Sequence, residues 1–164
     1  MRIMLAVLAL PLLLAVACAP RATVVAPSAL PGDAQEAQVA LQHFLELLNN
    51  GQYTEAVPFY GGSYATLYQN NPGISSKDVL LRQACEINGF MCLQPSSILL
   101  DQIVSSDEFV FQVQFQTKSG ELFVRGPCCG ASPTDQPPQS VFAFRVIRDA
   151  QGAFVILDMP PYVP

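Results

Sequence analysis

Basic residues are few and scattered in this chain. Lys and Arg number eight against 13 Asp and Glu, and in the folded region only Arg145 and Arg148 lie close together. Nucleic acids and anionic lipid surfaces are held by clustered cations, so neither is an expected partner. The arginine pair reads as two solvated charges at a strand end. Histidine occurs once, as His43. At 100° per residue it falls roughly 200° around a helix from Leu41, opposite the apolar stripe, so it is expected on the surface with no catalytic role. None of the five cysteines stands in Cys-x-x-Cys spacing, which argues against a thioredoxin-like couple and a zinc ribbon. No cofactor and no metal is implied. The apolar run Ile3 to Ala17 falls short of the roughly 20 residues that span hydrocarbon, and Pro11 interrupts it, so a permanent transmembrane anchor is the weaker reading.

What that run offers instead is an address. Arg2, the apolar stretch, and small residues before Cys18 follow the order of a secretory signal. The segment Leu14-Ala15-Val16-Ala17-Cys18 resembles the lipobox of bacterial lipoproteins, with Ala15 where that family usually has Leu, Val or Ile. The resemblance implies cleavage after residue 17, acylation of Cys18, and an extracytoplasmic protein whose membrane partner is its own lipid. One acyl chain binds a bilayer only marginally, and two or three hold it firmly. Ala19 rather than Asp after the cysteine implies sorting to the outer membrane in a host that has one. The competing reading is an ordinary secretory signal that leaves Cys18 as a thiol or disulfide partner. Cysteine parity favours the lipid, since setting Cys18 aside leaves Cys85, Cys92, Cys128 and Cys129, an even set suited to an oxidising compartment.

Residues 18–32 carry three prolines and no amphipathic period, and read as an extended tether. Residues 33–164 are the right length for one domain with its own core. Asp33 is the expected N-cap of a helix to about Asn50, with Ala37, Leu41, Phe44, Leu45 and Leu48 at helical spacing. Short helices are predicted near residues 53–60 and 63–69. Ser75 and Asp78 have capping-box spacing and open a helix to about Glu86.

From Ser97 onward the period changes to two. Strands are predicted at residues 98–104, 108–117, 121–125, 140–148 and 153–158, joined by short turns suited to an antiparallel meander. In the second, Phe109, Phe111, Val113 and Phe115 share one face and Gln112, Gln114 and Gln116 the other. Helices followed by hairpin-linked strands give an α+β fold.

Residues 37–60 (AQVALQHFLELLNNGQYTEAVPFY) and 142–159 (FAFRVIRDAQGAFVILDM) resemble the opening helices and closing hairpin of the NTF2-like, or cystatin-like, superfamily. Small exported lipoproteins of the lumazine-binding-like group are similar. The resemblance covers roughly residues 33–159 and implies helices packed into the concave side of a curved antiparallel sheet, a cone. It also implies a function: a non-enzymatic envelope protein that binds a small apolar ligand or another envelope protein. One fold hosts many functions, so two alternatives stand beside it. Enzymes of the superfamily use a polar group inside the cone, and Asp101 or Asp158 are the carboxylates available for an isomerase or hydrolase. Superfamily members also pair through the outer sheet face, which makes a homodimer the third reading.

Tyr53, Tyr60, Tyr64 and Tyr68 cluster about the short helices, and hydroxyl-tipped rings suit an apolar pocket with a wet mouth. Ordinary packing is the plainer role for them. The four remaining cysteines are expected to form disulfides. The favoured pattern joins Cys85 and Cys92 to Cys128 and Cys129, tying the helical half to the proline-rich loop 127–139, each bridge contributing about 2 to 4 kcal/mol. The other pattern is a Cys85 to Cys92 loop plus a redox-sensitive vicinal pair.

Overall fold

The computed structural model describes residues 31–164. The expected signal peptide and Cys18, with most of the tether, lie outside the described residues. The described residues are α+β: among them four helices and one 3-10 turn are followed by four strands in an open antiparallel sheet of order β1-β2-β3-β4.

Helix α1, Gly32–Asn49, is about 27 Å long and turns Ala34, Ala37, Leu41, Phe44, Leu45, Leu47 and Leu48 into the core. Asp33 is not its cap. Pro31 holds that position, and the Asp33 carboxylate reaches sideways to Arg148, whose Nη2 donates at 2.8 Å. An ion pair with a strand 115 residues away has taken the side chain that a local cap would have used. Helix α2, Tyr53–Ala56, runs into the 3-10 turn Val57–Phe59, where Pro58 cannot supply an N–H. Helix α3 spans Ala65–Asn70 and α4 spans Lys77–Glu86. The start of α4 falls one residue beyond the expected cap. Ser76 is the capping residue, its hydroxyl bonds the Asp78 carboxylate, and no side chain caps the backbone, so the capping box does not form.

Strands β1, Gln94–Ile103, and β2, Glu108–Gln116, pair with irregularities at Pro95/Ser97 and Leu100/Gln102. Strands β3, Phe142–Arg148, and β4, Phe154–Ile156, complete the meander. The predicted strand at 121–125 does not form as such. It contributes two isolated bridges, Gln116 to Leu122 and Arg125 to Gln139, before the chain enters the loop carrying Cys128 and Cys129.

The alternation in β2 has the consequence its pattern implies. Phe109, Phe111, Val113 and Phe115 are buried, and Phe142, Phe144 and Val146 of β3 join them on the same face. Helix α1 lies over that face, and Gln38 Nε2 donates to the Ile98 carbonyl of β1 at 2.8 Å. Strand β4 is covered on its far side by Tyr60, which bridges Ile156, and by Gly61, whose N–H donates to the Ile156 carbonyl at 2.9 Å. That cover occupies the Ile156 end of this edge. Each fully buried Phe or Leu contributes about 1.5 to 3 kcal/mol by leaving water. Among the described residues, no polar or charged residue is fully buried.

Past β4 the ladder runs on by one residue. The Leu157 N–H donates to the Arg145 carbonyl at 2.9 Å, and the tail then pairs with the turn after α4: the Met91 N–H donates to the Pro161 carbonyl at 2.7 Å and the Val163 N–H to the Gly89 carbonyl at 2.9 Å. Gly89 sits at φ +82°, and a Cβ there would run into the Val163 carbonyl. The left-handed turn and the close tail both require glycine.

Candidate functional site

The cysteines correct the favoured pairing. Cys85 at the end of α4 is bonded to Cys92, seven residues on, and Cys128 and Cys129 are free thiols. Cys85 and Cys92 flank the turn that holds the C-terminal tail, with Cα atoms 5.4 Å apart, inside the usual disulfide range. The bridge therefore closes a short local loop, and the proline-rich loop keeps its thiols. The sequence pattern alone does not distinguish these outcomes, because the three pairings differ only in three-dimensional distance.

Cys128 and Cys129 stand in the wall of a cleft of about 1020 Å³ between the loop after Arg125 and the C-terminal tail, with Asp135 and Gln136 on the loop side and Tyr162 and Val163 opposite. The Cys128 N–H donates to Gln136 Oε1 at 3.0 Å, and the Ala131 N–H donates back to the Cys128 carbonyl at 2.9 Å. Cys129 occupies the left-handed region at φ +60°. The Cys129 thiol donates to Cys128 Sγ at 2.8 Å. That bond, followed by the charge a Cys128 thiolate would carry, pushes the Cys129 thiol above the ordinary range.

The tyrosines form a ladder rather than a shared pocket lining. Tyr60 stacks on Phe44 with centroids 6.0 Å apart, Tyr64 meets Tyr60 edge-on at 5.0 Å, and Tyr68 tilts against Tyr64 at 6.4 Å. Lys77 Nζ lies 4.8 Å from the Tyr64 ring centroid. Burial raises the Tyr64 phenol well above its ordinary range, with Tyr60 and Tyr68 adding to the effect, and its hydroxyl is buried with no hydrogen-bond partner. Tyr60 is raised too, by burial and then by the Asp158 charge. Tyr53 lies apart, in a shallow polar cleft with Asp78 and Arg82, where its hydroxyl donates to Glu86 Oε1 at 3.2 Å.

The two carboxylates considered for catalysis are already engaged. Asp158 accepts from the Arg145 N–H, Nε and Nη2 at 2.8, 3.1 and 2.8 Å. Asp101 is exposed and accepts from Gln112 Nε2 at 2.9 Å. The arginine pair is likewise not merely solvated, since Arg148 joins Asp33 to Asp107. Among the described residues, no group of three or more His, Cys, Asp and Glu side chains is placed to share a metal ion.

No protein-family model, curated protein or solved structure matches this chain. The site must therefore be read from its own chemistry. Beyond the thiol cleft, the other relevant concavity is an apolar groove of about 710 Å³ along α1, lined by Val39, Ala40, His43, Phe59 and Phe154. His43 is exposed there, edge-on to Phe59 with centroids 5.0 Å apart. Sequence reasoning missed this groove because its floor joins residues from α1, the 3-10 turn and β4. The one signal was Val39, an apolar residue off the buried stripe and 61% exposed.

Proposed function

We propose that this chain is an exported lipoprotein of the cell envelope, held to the membrane by a lipid on Cys18, whose NTF2-like domain is a non-enzymatic binding module. The observation that carries the binding reading is the engagement of Asp158. Of the two carboxylates available to an enzyme, Asp158 is held by three donors of Arg145, which supports a structural ion pair. A helix laid over the buried face of an antiparallel sheet supports the NTF2-like reading.

The domain's ligand is a small apolar molecule or an apolar segment of another envelope protein, taken in the groove at Val39, Phe59 and Phe154. Apolar walls with a few polar groups, here Gln35, Glu36 and His43, suit such a ligand. The experiment is recovery of the full-length protein from membranes, with mass spectrometry of retained lipids and proteins, beside Val39→Asp and Cys18→Ser variants. Retention of a defined ligand that Val39→Asp loses supports the groove. Equal retention by both proteins sinks it. Release of Cys18→Ser from the membrane fraction supports the anchor, and its continued membrane retention overturns it.

A second reading is self-association through the outer sheet face. Leu99, Gln112 and Ala143 lie side by side there in register, all exposed, with Leu99 64% accessible. Sedimentation equilibrium of the wild type against Leu99→Lys separates the two, since only self-association is sensitive to that change.

A further inference from the structure

The two free thiols are adjacent in sequence, accessible, and in contact. Their sulfurs are 2.8 Å apart, so forming a bond of about 2.05 Å requires a movement of less than about 1 Å. The backbone is already shaped around the pair. Cys129 sits at φ +60°, a conformation non-glycine residues seldom adopt, and the Cys128 N–H and carbonyl are both held by neighbours in the same loop.

From this arrangement we infer that Cys128 and Cys129 form a reversible dithiol–disulfide site, oxidised to a vicinal disulfide by low-molecular-weight disulfides that enter the cleft beside Tyr162. Consecutive Cα atoms are held about 3.8 Å apart by the peptide bond, below the roughly 4.4 to 6.8 Å that disulfides usually span. A ring closed within that spacing is strained, and strained, exposed disulfides are the readily reduced ones. The site is thus suited to exchange, in contrast to Cys85 and Cys92, whose spacing is that of an ordinary bridge.

Either sulfur can open the exchange, since the two thiols are chemically equivalent partners in one contact. With Cys128 attacking and Cys129 resolving, the Cys128 thiolate attacks one sulfur of the disulfide, whose S–S bond breaks to release the first thiolate. The Cys129 thiolate then attacks Cys128 Sγ of the mixed disulfide and releases the second. Two cysteine thiols have lost two protons and two electrons, and the small disulfide has become two thiols.

The test uses the purified full-length protein, oxidised glutathione as the probe, alkylation of residual thiols, and mapping of the tryptic peptide 126–145, whose only cysteines are these two. The expected product is that peptide lighter by two hydrogens and carrying no alkyl group, with both thiols restored by dithiothreitol. Cys129→Ser should lose the ring and retain one glutathione on Cys128, and Cys128→Ser should lose the ring as well. Any other wild-type product overturns the inference: glutathione remaining on either cysteine, a bridge to Cys85, Cys92 or another chain, or two thiols left unchanged.

Discussion

Arg145 and Asp158 hold each other across the end of the last strand pair, and the carboxylate accepts the backbone N–H of Arg145 as well as its guanidinium. The aspartate thus extends the β3–β4 ladder with a side chain, taking the Arg145 N–H while the Arg145 carbonyl still pairs with the Leu157 N–H.

The two partners are not equivalent as a result. Arg145→Ala removes the guanidinium contacts, and at 54% side-chain exposure it should cost only about 0.5 kcal/mol. Asp158→Ala also leaves the Arg145 N–H without its acceptor and should cost about 1 to 2 kcal/mol. Urea denaturation of both variants checks the order, and equal losses would count against the ladder role.

Gly89 and Gly120 share nearly the same positive φ, +82° and +83°, but only the first faces an obstacle. Gly120→Ala should cost about 1 kcal/mol from backbone conformation alone. Gly89→Ala should cost about 2 to 3 kcal/mol or more, because the new methyl meets the Val163 carbonyl and the tail must shift. Thermal unfolding of the pair measures the difference.

Replacing both Cys85 and Cys92 with Ser should destabilise the chain by about 2 to 3 kcal/mol, the chain-entropy value for so short a loop. Hydrogen exchange should localise the effect. The Met91 and Val163 amides, which tie the turn to the tail, should lose protection before the amides of β2 do.

Alkaline titration reports on the aromatic ladder. Burial raises the Tyr60 and Tyr64 phenols above the ordinary tyrosine value of about 10. A group whose folded pKa exceeds its unfolded one contributes stability fully below the unfolded value, and that stability is lost as pH rises through the folded one. Stability should therefore be unaffected by these two groups up to about pH 9 and fall above about pH 10. Tyr60→Phe with Tyr64→Phe should flatten that fall, and a titration curve unchanged by the double variant would remove the tyrosines as its source.

The parts of the fold that rest on local periodicity were readable from the residues. The stripe of α1 and the alternation of β2 each state which side is buried, and Phe44, Phe109 and Phe111 are buried accordingly. Misreadings fall where a distant group competes for a side chain. Asp33 looks like a cap until Arg148 is known to be beside it, and Glu121 to Arg125 looks like a strand until the chain is seen to leave the sheet for the thiol loop. Cysteine pairing and the α1 groove are tertiary properties, so no local pattern carries them.

The placement of β4 has a consequence for the order of events during synthesis. Phe154 and Ile156 belong to the same core as Leu41 and Phe44, and Ile156 also receives Tyr60 and Gly61, so the first helices remain partly uncovered until residues 154–156 exist. A ribosome that has made everything up to residue 150 holds a chain whose central layer is still open on one side. Such a chain cannot complete its core before residues 154–156 are free to fold, and until then it is available to whatever machinery handles unfolded polypeptide.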